Sequence, residues 1–447
     1  ADGLAHLSDE LVYVRALLSR YLQRTRGYDE EEGLGGLAVG SAEIERFLEG
    51  VVPPRNEDHE TFLVELRKTI DDRVNSSIEQ GASLPLVRLV EAFGLNALEV
   101  QVLMVLLAPE VEPAFERAYA FAWNDFTRKT CDLGFTLAMV SDDFRERAER
   151  ARIFESRAAL VRYGLLDIER NEGAPSRTWL SRRVRVAPRI VSWVLGSLEP
   201  DALIADHIQW VEARTRPEDI VLQADDRDPI LAALASELPI PSCRVALRGA
   251  PGSGRRLLVE TALAAVGGRM LVADLGGLLA SGRPLGAVLD AATRECQLLG
   301  AALYIECTGV ELDGDGGFPA LAVVEDRLRD HRGPVLFGVT QRAPFFAGPG
   351  GGLVDLFVPI PEAAERERLW TRALGDKATL AEDVDLGTIA QQHPLTGGAI
   401  AQAASSGKIG WSSPLARALK GASVGDVRSV RLPSGLRDWE VMAISYG

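Results

Sequence analysis

Apolar positions recur every three to four residues in the first half of the chain and form short unbroken runs in the second half. The helical spacing predicts amphipathic helices at residues 7–24, 41–49, 57–79 and 84–93. The unbroken runs are typical of strands buried on both faces and lie at 244–248, 270–275, 301–307, 334–340 and 357–360. Helical patterns alternate with these runs, which predicts an α/β domain: a parallel sheet flanked by helices.

A second arrangement lies between these two halves. Residues 84–108 form a predicted helix, turn and helix, and short strands are predicted at 165–168 and 179–186, followed by a helix. Helices followed by a β-hairpin predict a winged-helix domain over 84–198. The predicted hairpin is basic, which is how a wing contacts phosphates. Its arginines are Arg177, Arg182, Arg183 and Arg185.

Charge and composition limit the classes of partner. The net charge of −15 disfavours non-specific attraction to nucleic acid, so a solvated hairpin or a protein-docking face is the alternative to contact through the wing. No apolar run has the length of a membrane span, the N-terminus lacks a signal pattern, and four scattered cysteines are typical of reduced thiols. We expect a cytoplasmic protein without a membrane partner. The connector at 199–241 predicts helices near 202–214 and 228–237.

The strand at 244–248 enters a glycine-rich turn and leaves it as a helix. Residues 249–256, Gly-Ala-Pro-Gly-Ser-Gly-Arg-Arg, have the layout of a phosphate-binding loop, G-x-x-x-x-G-K-[S/T]. Its three glycines, Gly249, Gly252 and Gly254, permit positive φ and bring N–H groups near an anion. The helix that follows adds its positive end.

The side chains of this loop differ from the motif. Arg255 replaces the lysine that reaches the phosphates, and Arg256 replaces the hydroxyl that binds Mg²⁺. The backbone donors therefore remain while a metal ligand is lost. We predict that ATP or ADP binds through the loop and leave Mg²⁺ binding open; we name no metal ligand. The predicted nucleotide-binding residues are Gly249, Gly252, Ser253, Gly254, Arg255, Arg256 and Thr340.

With these motifs, residues 215–405 resemble the AAA+ ATPase family. The strand at 301–307 stands where that family has the Asp-Glu of its Walker B element, and the residues here are Glu306 and Cys307. The resemblance implies that Glu306 is the candidate catalytic residue, whereas a thiol cannot replace the carboxylate base. Thr340 matches the polar sensor position.

The resemblance extends to the lid and to the N-terminal half. Residues 361–405 resemble the small helical lid, and no arginine finger stands between Gly348 and Leu356. Helices and a winged helix ahead of an AAA+ module are similar to the ATPases of contractile injection systems, in which a degenerate first module precedes an active second one. We therefore predict a degenerate module that serves as an assembly or remodelling platform for protein partners, such as AAA+ subunits or further copies of itself. The alternative is an active ATPase in which Glu306 is the metal ligand or base.

The last forty residues resemble the C-terminal domain of Gre-type transcript cleavage factors. The resemblance rests on Ser413-Pro414-Leu415 with Arg417-Ala418-Leu419, and on a following hairpin pattern. It implies an FKBP-like fold that docks on RNA polymerase, which gives a further alternative: a transcription-associated factor. The first strands of such a domain are absent before Gly407, which indicates an evolved truncation or a stretch missing from this numbering.

The predicted domains follow from these patterns. They are an N-terminal helical region over 1–83, the winged-helix domain over 84–198, the degenerate P-loop core over 199–360, the lid over 361–405 and the short α+β tail over 406–447.

Overall fold

The apolar periodicity of the first half of the chain forms helices in the computed structural model. The described residues are 2–26, 57–123, 130–169, 178–204, 208–310, 319–341, 352–375, 385–406, 425–432 and 435–440. The chain divides into one unit of residues 1–206 with 286–300 and a second of residues 207–285 with 301–447. The helix predicted at 41–49 lies outside the described residues.

The first unit is mainly helical and contains a small hairpin. Its helices are α1 (Gly3–Arg26), α2 (Glu57–Glu79), α3 (Pro85–Phe93), α4 (Ala97–Val111), α5 (Ala114–Trp123), α6 (Leu133–Val140), α7 (Phe144–Arg150), α8 (Ala159–Arg162) and α9 (Pro188–Val194). Strands β1 (Leu166–Ile168) and β2 (Val184–Val186) pair antiparallel, and Asp132 forms an isolated bridge with Arg183. The predicted hairpin is confirmed. Its second strand is shorter than predicted, because residues 179–181 form a 3₁₀ turn.

The predicted helix, turn and helix at 84–108 is confirmed, and its caps explain it. Gly94 ends α3 with a φ of 62°, a conformation that glycine adopts without a Cβ penalty. Asn96 begins α4, and its side chain and that of Glu99 form a capping box. Every residue from Val102 to Ala108 is buried, so α4 is a core helix. The apolar run from Val102 to Ala108 leaves this part of α4 without a polar face for a nucleic acid groove.

A second pair of helices follows, of which α6 is mostly buried and α7 presents the exposed surface. Helices α6 and α7 are joined by Ser141-Asp142-Asp143, and α7 has no buried residue. Together with the Asp132 bridge and the β1–β2 hairpin, this pair completes a winged-helix arrangement.

The second unit contains a six-stranded sheet of order β3-β5-β6-β7-β4-β8. Its strands are β3 (Ile208–Glu212), β4 (Arg244–Arg248), β5 (Arg269–Asp274), β6 (Ala302–Glu306), β7 (Val335–Val339) and β8 (Val354–Phe357). The helices outside the first unit are α10 (Ala224–Glu237), α11 (Arg255–Ala265), α12 (Leu275–Ala280), α14 (Pro319–Leu328), α15 (Ala363–Leu374), α16 (Leu386–Gln392) and α17 (Gly397–Ser406). A separate hairpin in the tail pairs β9 (Val427–Leu432) with β10 (Gly435–Glu440). That hairpin was predicted; the Ser413-Pro414-Leu415 motif ahead of it lies outside the described residues.

Two predictions about this sheet are wrong in detail. The helix expected near 202–214 is strand β3, which pairs antiparallel with β5 and makes the sheet mixed rather than parallel. The apolar and polar positions of the five residues Ile-Gln-Trp-Val-Glu are compatible with a helix or a strand. The hydrogen bonds to β5 stabilise the strand. The last strand lies at 354–357 instead of 357–360, because Pro359 and Pro361 lack the N–H that continues a ladder.

One helix of the second half of the sequence belongs to the first unit. Helix α13 (Leu285–Leu299) lies in sequence between α12 and β6, yet residues 286–300 cluster with residues 1–206. Its Glu295, fully buried, accepts from Arg189 Nε at 2.5 Å and from Arg189 Nη2 at 3.1 Å. Arg294 Nη1 donates to the carbonyl of Gly164 and Nη2 to Asp201, each at 2.6 Å. The first unit is therefore built from two separate stretches of chain.

Candidate functional site

The glycine-rich loop joins β4 to α11 as predicted. Gly252 has a φ of 77° and Gly254 of 92°, the left-handed region in which glycine is unstrained. The prediction of a positive φ is wrong for Gly249, whose φ is not in this region. A Cβ at Gly249 would lie 2.6 Å from the carbonyl oxygen of Val358 and 2.8 Å from Ser253 Oγ. A close backbone approach, and not a positive φ, requires glycine there.

Arg255 points into the protein from the first turn of α11. Its Nη1 donates to the carbonyls of Gly249 at 3.0 Å and Val339 at 2.7 Å. Its Nη2 donates to Glu306 Oε1 at 2.9 Å and to Thr308 Oγ1 at 2.6 Å. The side chain is 3% exposed, so the guanidinium joins the loop, β6 and β7 from inside. A cation of the chain itself therefore stands beside the Glu306 carboxylate.

The carboxylate of Glu306 is occupied at both oxygens. Besides Arg255, its Oε1 accepts from the backbone N–H of Thr308 at 3.1 Å and from the Thr308 hydroxyl. Its Oε2 accepts from Tyr304 Oη at 3.1 Å. Burial, and after it the Glu306 charge, raises the pKa of Tyr304 well above its usual value. The phenol therefore remains protonated and continues to donate.

Gly338 on the neighbouring strand β7 makes room for this arrangement. A Cβ at Gly338 would lie 2.2 Å from Tyr304 Oη and 2.8 Å from Glu306 Oε2. Distances this short exclude any side chain at this position unless Tyr304 moves. Tyr304, Thr308 and Gly338 were not among the predicted site residues. The alternation Tyr304-Ile305-Glu306, which places two polar groups on one face of a strand, is the signal that could have found Tyr304.

Cys307 is buried beside this network. Its Sγ lies 3.8 Å from the carbonyl of Ile305. Burial, and after it the Glu306 charge, raises the pKa of the Cys307 thiol to about 12. The thiol is therefore protonated at neutral pH and does not act as a base there.

The remaining predicted residues lie around the same loop. Arg256 is half exposed, and its Nε donates to Glu260 Oε1 at 2.9 Å. Among the described residues, the buried Ser253 Oγ has no hydrogen-bond partner. Thr340 is exposed and directly follows Val339, whose carbonyl accepts from the N–H of Gly249 at 3.0 Å and from Arg255. A cleft of about 250 Å³ is lined by residues 252, 254–257, 260 and 306.

The start of helix α17 contacts the loop directly. Thr396 Oγ1 donates to the carbonyl of Pro251 at 2.8 Å, and the N–H of Gly398 donates to the carbonyl of Gly252 at 2.9 Å. The structure thus brings residues of the predicted lid segment onto the predicted nucleotide loop.

The exposed face of the winged-helix region carries charge of both signs. In α7, Arg145 pairs with Glu149 and Arg150 with Glu146. Of the hairpin arginines, Arg182 donates to the carbonyl of Glu169 and Arg185 pairs with Asp167 at 3.3 Å, while Arg177 lies outside the described residues. Arg145, Arg150 and Arg185 are thus paired with carboxylates, which weakens the attraction of these three arginines for phosphates.

Two features are absent from the described part of the chain. No group of three metal-ligating side chains is found within the described ranges. No described helix has both the length and the apolar character needed to cross a bilayer.

Known families match the two ends of the chain. Residues 1–208 match the family described as "Winged helix domain, variant". Residues 398–446 match the family described as "Transcription elongation factor, GreA/GreB, C-term". The chain therefore carries an N-terminal winged-helix domain and a GreA/GreB C-terminal-like domain at its tail.

Curated relatives match the tail. The transcription elongation factor GreA of Maricaulis maris (strain MCS10) is 50% identical over 42 residues, 9% of this chain and 27% of that protein. The GreA proteins of Chelativorans sp. (strain BNC1) and Verminephrobacter eiseniae (strain EF01-2) are 52% identical over 42 residues and 55% identical over 40 residues. These stretches are again 9% of this chain, and 27% and 25% of the relatives. The chain thus spans about a quarter of the length of the curated relatives it matches.

Proposed function

We propose that this protein is a degenerate AAA+ module that does not turn over nucleotide and acts as an assembly or remodelling platform for protein partners. The observation that carries the proposal is the position of Arg255. Its buried guanidinium contacts Glu306, the loop and β7 at once. An arginine pairs well with a carboxylate but cannot release it to a metal ion without leaving a buried cation unpaired.

The residues around Arg255 argue against hydrolysis by the same site. Mg²⁺ requires oxygen ligands in near-octahedral geometry, and both oxygens of Glu306 already accept hydrogen bonds. Arg256 provides no hydroxyl, and the Cys307 thiol is protonated at neutral pH. Activation of water by a general base contributes about 10² to 10⁴ in rate, so the loss of both groups removes most of the expected turnover.

The loop still offers backbone donors. Gly252 and Gly254 have the left-handed geometry of an anion-binding loop, and α11 begins at Arg255. We therefore expect ATP or ADP to bind weakly and without Mg²⁺, through N–H groups of residues 252–256 other than that of Ser253, which donates to the carbonyl of Ala250.

Phosphate release from ATP tests this proposal on the full chain. We expect release at the background rate in the wild type and in Glu306→Gln. Glu212→Gln is the matched control, because it makes the same change at an exposed carboxylate of strand β3, outside the loop. Turnover that Glu306→Gln abolishes and Glu212→Gln retains would instead favour the alternative, an active ATPase that uses Glu306.

The tail favours a second candidate function, association with the transcription machinery. The matched relatives are named transcription elongation factors, and the resemblance implies docking on RNA polymerase. The described tail hairpin, with Gly435 opposite Leu432 and Glu440 opposite Val427, supports this proposal. Purified bacterial core RNA polymerase should retain the full chain and lose a variant that lacks residues 407–447. Equal retention of the two proteins would exclude docking through the tail.

A further inference from the structure

Two successive carbonyls of the loop are bonded to the start of α17. Thr396 Oγ1 donates to Pro251 and the N–H of Gly398 donates to Gly252. Thr396 is 6% exposed, and its hydroxyl also accepts from the N–H of Ala399 at 3.3 Å. The contact therefore forms one buried cluster at the first turn of the helix.

Glycines at both sides allow this approach. A Cβ at Gly398 would lie 2.8 Å from the Cα of Gly252. A Cβ at Gly252 would lie 2.8 Å from Thr396 Oγ1 and 3.0 Å from the Cα of Gly398. The two backbones touch at a distance that only a glycine pair permits.

These bonds fix the orientation of one peptide unit of the loop. In a trans peptide, the C=O and the N–H point to opposite sides. The peptide between Gly252 and Ser253 uses its C=O to accept from Gly398, and its N–H donates to the carbonyl of Ala250 at 3.0 Å. The Ser253 N–H is thus committed within the loop and is not available to a phosphate while α17 stays in place.

We propose that α17 is a clasp on the phosphate loop. In its seated position it holds the Gly252–Ser253 peptide turned inward and keeps the affinity for nucleotide low. Displacement of α17 releases this peptide, which then turns its N–H toward an anion and opens the loop. The clasp regulates the site under "Proposed function" and rests on nucleotide binding through the loop backbone.

Adjacent glycines provide a matched pair of variants. Gly398→Ala places a methyl group against the Gly252 backbone. Gly397→Ala places one 3.5 Å from the flexible end of Leu369, an ordinary contact. Thr396→Val is a milder change that removes the hydrogen bond to Pro251, and Thr396→Ser is its control because it retains the hydroxyl. This second pair keeps the test available if Gly398→Ala does not fold.

The test combines amide hydrogen exchange with a titration of each full-length variant with a fluorescent ATP analogue without Mg²⁺. In Gly398→Ala we expect about tenfold faster exchange of residues 249–256 and a Kd for the analogue about tenfold lower. Thr396→Val should show a smaller change in the same direction, and Gly397→Ala and Thr396→Ser none.

Two results would overturn the clasp. Unchanged exchange in both Gly398→Ala and Thr396→Val would show that α17 does not restrain the loop. Faster exchange with an unchanged Kd would show that the contact is packing without an inhibitory role. Failure of the proposed function is distinguished by another measurement, because it would be seen as phosphate release from ATP by the wild type.

Discussion

The Arg255 guanidinium lies 2.9 Å from Glu306 Oε1, within the first turn of the helix where a phosphate-binding loop places its lysine. Strand β7 alone lies between β4 and β6 in the sheet, so the Arg255 side chain, in the helix that follows β4, crosses one strand to reach Glu306 on β6. On the way, Arg255 also donates to the Val339 carbonyl of β7. One side chain thus joins the loop to two parallel strands. In the proposed AAA+ module, this connection takes the place that a bound nucleotide and its metal would have.

Truncation of this arginine should weaken the second unit. Arg255→Ala leaves the Glu306 carboxylate without its cation and opens a cavity beneath the loop. Since Glu306 is 28% exposed, we expect a loss of about 2–3 kcal/mol, below the roughly 3–5 kcal/mol that breaking a fully buried pair costs. Urea unfolding followed by a probe in this unit measures the loss. Arg256→Ala, which removes a half-exposed pair, should cost less than about 1 kcal/mol, and equal losses in the two variants would contradict this account.

The contact between Gly338 and Tyr304 should show strong coupling. Gly338→Ala forces a Cβ against the phenol oxygen, and overpacking of this kind costs about 1–3 kcal/mol. Tyr304→Phe removes the oxygen that the Cβ would meet. The double variant should therefore recover more than half of the Gly338→Ala loss. A double-mutant cycle of unfolding free energies measures the recovery, and strictly additive losses would show that the hydroxyl is not the obstacle.

The buried pair of Arg189 and Glu295 should dominate the stability of the first unit. Glu295→Gln leaves a buried guanidinium without its counter-charge, and the expected loss is about 3–5 kcal/mol. The double variant Arg189→Met with Glu295→Met should restore most of the stability. Unfolding followed in residues 1–206 checks this result. As a comparison, Arg185→Met breaks an exposed pair with Asp167 and should cost less than about 1 kcal/mol.

His331 should make the stability of the second unit depend on pH. Burial, and after it the charge of Arg244, lowers the pKa of His331 to about 3 from its usual 6.5. Because the unfolded chain binds the proton more readily, this contribution is present above pH 6.5 and is lost as the pH falls toward 3. The slope reaches about 1.4 kcal/mol per pH unit. His331→Phe should remove this component, so that urea midpoints of the wild type and the variant diverge between pH 7 and pH 4. Parallel curves over that range would show that the histidine does not titrate in this way.

Local patterns predicted the elements of the fold better than its contacts. The apolar runs predicted β4 to within a residue, and the glycine pattern predicted the left-handed geometry of Gly252 and Gly254. The burial of α4 could be anticipated from its apolar sequence. The antiparallel strand β3 could not, because five residues of mixed polarity fit either element until the pairing with β5 is known.

The site was predicted in position but not in arrangement. Arg255 and Glu306 are 51 residues apart, and the direction of a long side chain depends on the acceptors that tertiary structure provides. The sequence could not predict that glycine is required at position 338, because the requirement comes from the Tyr304 phenol on the neighbouring strand. The sequence likewise could not predict the contact of Gly398 with Gly252, because it depends on two backbone segments that meet only in the folded chain.

A titration with a fluorescent ATP analogue in the presence and absence of Mg²⁺ tests the central claim most directly. If Arg255 stands in place of the metal, the wild type should bind the analogue weakly and with the same Kd under both conditions. Arg255→Lys should leave Glu306 more accessible and introduce a dependence on Mg²⁺. Tighter binding of the analogue to the wild type with Mg²⁺ than without it would contradict this account, because it would require a metal site that Arg255 and Glu306 leave no room to form.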